Sequence, residues 1–239
     1  ELIKEYEQYG KDAEYLANVA NMDMAIGRLL QYLDEKGLSK NTFVLFASDN
    51  GPYRQPSTGI FRGKKSFLFE GGIRVPGIIK WPHKIKEGVI STTPASFVDM
   101  LPTIAQITGS TMPEDRTIDG TNILPVLFEE PFKRDRPLYW YFYKRYPISA
   151  LRKGDYVIMG NPKEQYKLTS HPFDSGDQVY FKNAKLEEFQ VYNLKDDPAQ
   201  KIDLYPDNSE KFSNLKMEII KYQKEIIDEG PTWEGLPEN

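Results

Sequence analysis

FVLFASDNGPYRQPSTGIFRGKKSFLFEGGIRVP, residues 43–76, decides how the rest of this chain is read. The apolar run Phe43-Val44-Leu45-Phe46 stops at Ser48-Asp49-Asn50-Gly51. A loop rich in Gly, Pro and Ser follows and ends in Arg62-Gly63-Lys64-Lys65. Glu70-Gly71-Gly72-Ile73-Arg74-Val75-Pro76 then leads into a second apolar run, Gly77 to Pro82. A short continuous apolar run bounded by turn residues predicts a strand buried on both faces, as in a helix-covered parallel sheet. Such sheets place their chemistry beyond the carboxyl ends of the strands. Asp49 and Asn50 sit at such an end, with lysines and arginines a loop away.

Those residue types suit an anionic, oxygen-rich ligand held on a hard cation. A carboxylate and an amide carbonyl are oxygen donors of the kind that Ca²⁺ or Mg²⁺ takes. Lys partners phosphate-like oxygens as a point charge, and Arg grips them with a planar fork. Asn50-Gly51 after a strand is also a strong hairpin signal, so Asp-Asn-Gly by itself leaves a turn and a ligand pair both open.

Ser48-Asp49-Asn50-Gly51, Arg62-Gly63-x-Lys65 and Glu70-Gly71-Gly72-Ile73-Arg74-Val75-Pro76, in this order, resemble the second half of the formylglycine-dependent type I sulfatases of the alkaline-phosphatase-like superfamily. The resemblance runs over most of the chain. It implies an α/β fold: the C-terminal portion of an alkaline-phosphatase-like α/β core over residues 1–132, then a small α+β sub-domain over 133–239 with an antiparallel sheet and a C-terminal helix. It implies Asp49 and Asn50 as ligands of a divalent metal, usually Ca²⁺. The lysine that binds the sulfate and acts in catalysis is then Lys65, five residues before Glu70. Lys64 departs from the family pattern, in which a small or aromatic residue is common, and is the runner-up. Glu70 and Arg74 are expected to fix the loop as an ion pair that orients Lys65.

The nucleophile of such enzymes is a formylglycine made from Cys or Ser in Cys/Ser-x-Pro/Ala-x-Arg. Neither version occurs here, and the chain has no cysteine. The chain is therefore expected to carry part of an active site and not to turn over alone. Two other readings stay open: a phosphatase or phosphonate hydrolase of the same superfamily with a different nucleophile, and a non-catalytic, degenerate binding domain. The resemblance implies a sulfated small molecule or sulfated sugar as substrate, glycosaminoglycans among them, and export to the periplasm or beyond for a bacterial member.

The 239 residues are 39% hydrophobic and 28% charged, an ordinary globular balance. A net charge of −4 without a long basic run gives no electrostatic footprint for nucleic acid. No apolar stretch approaches the roughly 18 residues needed to span a bilayer. The start, Glu1-Leu2-Ile3-Lys4, shows neither an initiator methionine nor a signal peptide, as expected of a piece cut from a longer protein.

Residues 10–36 carry apolar positions at spacings of three and four and predict a helix stopped by Gly37. Asp23 falls near its apolar face, where an acid is expected to be paired internally. Ser96 to Thr108 predicts a second helix, with Pro102 in its first turn and Gly109 as its stop. The charged, Pro-flanked segment 129–136 is read as the boundary between core and sub-domain. Beyond it, residues 138–143, 150–152, 156–159, 166–168 and 189–194 predict short antiparallel strands, and 212–227 an amphipathic helix. The aromatic run Tyr139 to Tyr143 suits either a sugar-lined pocket or core packing, and core packing is the stronger reading. The polar loop 169–177 suits a substrate rim, with His171 as its candidate substrate-binding residue.

Overall fold

The computed structural model describes residues 1–53, 58–143, 145–164, 166 and 174–235. They separate into two compact units: residues 1–47 with 77–91, and residues 48–76 with 92–239. The second unit includes residues on both sides of the 132/133 position.

In the first unit a short helix, α1 (Leu2–Glu5), and a 3-10 segment, Glu7–Asp12, lead into the long helix α2 (Ala13–Glu35). Gly37 ends α2 as expected. With φ at 68° it lets its own N–H reach the Asp34 carbonyl at 3.0 Å and that of Leu38 reach Leu33 at 2.8 Å, so two orphan carbonyls find partners. In this chain Asp23 is exposed and makes no ion pair among the described residues, in place of the internal pairing expected.

Strand β1 (Val44–Ala47) pairs with β2 (Gly77–Lys80) in antiparallel register, from Val44↔Lys80 to Ala47↔Gly77. Phe43 meets Trp81 edge-on at 5.5 Å just outside the ladder. Within this chain the neighbour of β1 is antiparallel, not the parallel one expected. Among the described residues β2 is the only strand beside β1, and all four β1 residues are half-buried. The apolar run specified a strand, while its pairing depended on where the chain returns after residue 76.

The second unit begins with the loop after β1 and the one-turn helix α3 (Glu70–Ile73). A 3-10 turn, Phe97–Asp99, then runs into α4 (Met100–Thr108). The Ser96 and Asp99 side chains form a reciprocal capping box at its start, satisfying N–H groups that the helix leaves orphaned. Asp99 is fully buried and engages Arg134 bidentately at 2.8 and 2.7 Å. It also accepts from the N–H groups of Ser96 at 2.8 Å and Thr121 at 2.9 Å. A buried carboxylate is tolerable only when its lone pairs are filled in this way. The one-turn helix α5 (Leu124–Leu127) follows.

Strands β3 (Leu138–Tyr141), β4 (Ser149–Lys153) and β5 (Tyr156–Asn161) form a meander. After helix α6 (Ser175–Asn183), strand β6 (Glu188–Asn193) completes an antiparallel sheet of order β3-β4-β5-β6, and α7 (Ser213–Glu229) closes the chain. Strand alternation divides the side chains cleanly between two faces. Leu151, Ile158, Phe189 and Val191 pack with Ile219 and Tyr222 of α7. Ala150, Val157, Met159 and Tyr192 point the other way and pack with Leu68 and Phe69 of the loop before α3. Each fully buried aliphatic side chain contributes about 1.5–3 kcal/mol, so the loop bearing the candidate lysines is clamped by the sheet.

Helix α6 was not predicted. Its signal is the Asp174-x-x-Asp177 capping box, in which each side chain accepts from the other residue's backbone N–H, at 2.8 and 3.2 Å. The expected strand at 166–168 falls mostly outside the described residues. The aromatic run is half-buried and packs against the core, the reading preferred over a sugar pocket: Tyr139 meets Tyr222 at a tilt with ring centres 5.8 Å apart, and its hydroxyl meets that of Ser149 at 2.9 Å. Burial pushes the Tyr139 phenol well above its ordinary value, and the Ser149 contact only partly offsets this.

Candidate functional site

The chain between β1 and β2 folds back on itself through close backbone contacts. The Gly51 N–H donates to the Gly72 carbonyl at 2.8 Å, the Lys65 N–H to the Pro52 carbonyl at 2.9 Å, and the Gly71 N–H to the Arg62 carbonyl at 2.7 Å. The Asp49-Asn50 turn, the Lys64-Lys65 loop and the Glu-Gly-Gly helix are thereby stitched into one body. Glycine is demanded by the closeness of this approach. A Cβ on Gly51 would lie 2.0 Å from the Gly71 carbonyl oxygen, and one on Gly72 the same distance from that of Phe67. Gly72→Ala is accordingly expected to destabilise by about 1–3 kcal/mol or more. Gly27→Ala, in open space within α2, should stabilise by about 0.5–1 kcal/mol. Urea midpoints of the two variants check the contrast, and equal midpoints would remove the close-approach argument.

At the turn, the Asn50 amide N–H donates to Asp49 Oδ2 at 2.6 Å, and the Ser48 hydroxyl donates to the Asn50 carbonyl at 3.0 Å. Asp49 is exposed and Asn50 half-buried. Asp49 Oδ1, which also accepts from the Ser48 hydroxyl at 3.4 Å, and Asn50 Oδ1 are one carboxylate and one amide oxygen on adjacent residues, the kind of donors a hard cation takes. They fit calcium in kind and fill only part of its shell of about six to eight oxygens. Among the described residues no cluster of three or more His, Cys, Asp or Glu side chains is placed to hold a metal.

The two lysines differ. The Lys64 ammonium sits 5.3 Å from the centre of the Tyr53 ring, a cation–π contact. Lys65 is exposed, and its ammonium makes no hydrogen bond, ion pair or ring contact among the described residues. Between them and Glu70, Ser66 takes a left-handed φ of 77°, which turns the chain sharply just after Lys65. His171 lies outside the described residues.

Glu70 and Arg74 form the expected ion pair, at 3.3 Å. Two further partners were not foreseen. Arg152 of β4 lies 3.8 Å from the other Glu70 oxygen, and the Gln200 side-chain carbonyl accepts from the Glu70 N–H at 2.7 Å. Burial raises the Glu70 carboxyl above its ordinary value, outweighing the pull of Arg152 and Arg74. Arg62 stacks on Phe69 at 3.9 Å and donates through Nη1 to the Tyr192 hydroxyl at 3.0 Å and the Gln200 carbonyl at 3.2 Å. No local pattern marks Gln200; it is visible only as the buried residue that receives this loop.

Two family models match the chain: "Sulfatase" over residues 2–110, and "N-sulphoglucosamine sulphohydrolase, C-terminal" over residues 58–226. This chain belongs to the sulfatase family. Among its relatives, human Arylsulfatase H is 30% identical over 98% of this sulfatase chain and 44% of its own length. N-acetylgalactosamine-6-sulfatase of Rattus norvegicus is 37% identical over 89% of the chain and 43% of its own length. Human Steryl-sulfatase is 36% identical over 56% of the chain. The chain thus spans less than half the length of these relatives. A solved structure in complex with its substrate D-glucosamine-2-N,6-O-disulfate matches with a TM-score of 0.64 at 26% identity, over 95% of this chain and 42% of that one. Another, of Ps i-CgsB, reaches a TM-score of 0.71 at 23% identity, over 94% and 45%. These likenesses bear out the α/β sulfatase fold with its antiparallel sheet and C-terminal helix. Among the described residues no helix is long and apolar enough to cross a membrane.

Proposed function

We propose that the full-length protein hydrolyses sulfate esters, R–O–SO₃⁻ plus water giving R–OH, sulfate and a proton, and that its substrate is a sulfated glycan. The observation that carries this reading is the stitching of the Lys65 loop to the Asp49-Asn50 turn through the Lys65 and Gly51 N–H groups. That arrangement keeps a cationic side chain and two oxygen donors on one rigid body. Asp49 and Asn50 are the residues that would hold Ca²⁺, which when bound supplies Lewis-acid stabilisation of sulfate oxygens. Lys65 supplies positive charge to those oxygens as the ester bond breaks, a stabilisation that is strongest when the donor is preorganised. The Glu70–Arg74 pair, backed by Arg152, restrains the helix that follows. The formylglycine nucleophile belongs to the part of the protein outside this chain. The glycan assignment draws support from the printed names of an N-acetylgalactosamine-6-sulfatase and of a complex with a sulfated glucosamine among its relatives.

The test is the full-length protein with calcium, assayed on 4-methylumbelliferyl sulfate and on the corresponding phosphate, with mass spectrometry of the nucleophile peptide. Turnover of the sulfate and a formylglycine residue are expected. Turnover of the phosphate alone would move the protein to the phosphatase reading, and turnover of neither to the non-catalytic one. The 239-residue chain alone is expected to turn over no aryl sulfate at any calcium concentration. Measurable turnover by the pure chain would mean that it carries its own nucleophile.

The metal reading has its own check. Two ligands on adjacent residues leave most of a calcium shell to water, so calorimetry on this chain should give a Ca²⁺ dissociation constant weaker than about micromolar, the level reached by sensor sites with full ligand sets. Binding at Asp49 that is micromolar or tighter would reveal further ligands in the chain.

A further inference from the structure

We propose that the cleft between the Lys65 loop and the neighbouring sheet is a second sugar subsite, which takes an anionic pyranose residue of the same glycan. This rests on the sulfated-glycan reading above and extends it to a surface that reading does not use. The cleft is open to solvent and encloses about 340 Å³, the lower end of the range of small-molecule pockets, about 300–1,000 Å³. Its walls include Arg62, Phe67 and Phe69 from the loop, Tyr146 from the β3–β4 connection, and Asn161 and Gln190 from β5 and β6.

The placement of the two amides follows from strand alternation. Asn161 belongs to the same face as Val157 and Met159, and Gln190 to that of Tyr192, the face that Leu68 and Phe69 cover further along. At the Asn161–Glu188 end of the ladder this face is only partly covered, so both amide side chains remain half-buried. The Asn161 Oδ1 accepts from the Ile148 N–H at 3.2 Å, which orients its amide and leaves the NH₂ group to donate. Gln190 makes no side-chain hydrogen bond among the described residues.

Arg62 supplies the charge. Its guanidinium is held by the stack on Phe69 and by the two Nη1 bonds, while Nε and Nη2 make no hydrogen bond among the described residues. A cation fixed in this way loses little entropy on meeting an anion. A second cation stands near the rim, where the Arg145 guanidinium carbon lies 6.0 Å from the centre of the Phe67 ring. The cleft thus combines guanidinium and amide donors with aromatic surface and no carboxylate in its walls. A ring with apolar C–H faces, several hydroxyls and a sulfate or carboxylate group matches all three features. A neutral sugar leaves Arg62 unused, and a bare inorganic anion leaves the aromatic surface unused.

The test is an NMR titration of the 239-residue chain with a chondroitin 6-sulfate tetrasaccharide, following the Asn161 and Gln190 side-chain amides and the Arg62 Nε–H. Saturable shifts of these resonances are expected, with no comparable response to maltotetraose or to sodium sulfate at the same concentrations. Gln190→Glu keeps the side-chain volume and adds a negative charge. It should weaken binding about tenfold, equivalent to about 1.4 kcal/mol, with a backbone spectrum that stays dispersed. Absent shifts, equal shifts with sodium sulfate, equal shifts with maltotetraose, or unaltered affinity in Gln190→Glu would each overturn the proposal. Should that variant fail to fold, the wild-type titration against the two control ligands still decides. The titration needs no nucleophile and no turnover. Absent binding alongside sulfate-ester hydrolysis by the full-length protein removes the subsite and leaves the sulfatase reading. Binding without hydrolysis does the reverse.

Discussion

On the proposed sulfate-ester hydrolysis, Lys65→Ala in the full-length protein is expected to lower kcat by about 10²–10³, the size of losing one preorganised electrostatic donor at the transition state. Lys64→Ala stays within a few-fold of the parent. The difference comes from where the loop places each residue. The backbone N–H of Lys65 is fixed to the Pro52 carbonyl, two residues beyond Asn50, and its ammonium has no partner among the described residues. The Lys64 ammonium is already engaged with the Tyr53 ring. An interaction made chiefly in the transition state lowers kcat and kcat/KM together. Steady-state kinetics on a chromogenic sulfate ester therefore separate the roles. Equal losses at the two positions, or a larger loss at Lys64, would reassign the sulfate contact and with it the register of the loop.

Asp99→Ala and Arg134→Ala are each expected to cost about 3–5 kcal/mol, the penalty for stranding one charge of a buried pair. Asp99 is fully buried, and the Arg134 side chain is only 15% exposed. Removing the carboxylate also takes the acceptor from the Ser96 and Thr121 N–H groups, so three parts of the chain loosen together. The double variant should lose clearly less than the sum, because neither charge is then left alone. Denaturant midpoints of the two single variants and the double variant measure this. Strict additivity would show that the pair does not act as a unit. Arg116 and Asp115 also pair, at 2.7 Å, but both are solvent-exposed, and Arg116→Ala should leave the midpoint unchanged.

The contrast between these pairs illustrates what could and could not be read along the chain. Short-range patterns were sufficient for the helix ending at Gly37, the helix carrying Pro102 in its first turn, the strands of the second unit and the closing helix. Each depends on residues a few positions apart and on backbone preferences that neighbours seldom override. The Asp-Asn, Arg-Gly-x-Lys and Glu-Gly-Gly motifs are legible in the same way, and by themselves they point to the family. The Glu70–Arg74 pair, one helical turn apart, was also within reach. The capping box of α6 was equally local and went unread because its segment resembled a polar loop.

The rest was decided by contacts between residues far apart in the chain. Glu70 and Gln200 are separated by 130 positions, as are Arg62 and Tyr192, and no periodicity links them. The same holds for Asp99 and Arg134, and for the antiparallel return of Gly77–Lys80 beside β1. An apolar run specifies that a strand is to be covered, but not by which strand or in which direction. Likewise, the glycines of Glu-Gly-Gly are needed because other backbone segments approach them to within a distance that no Cβ allows. Local chemistry determined which groups this sulfatase chain offers to a ligand, and the packing of distant segments determined which of them are held together.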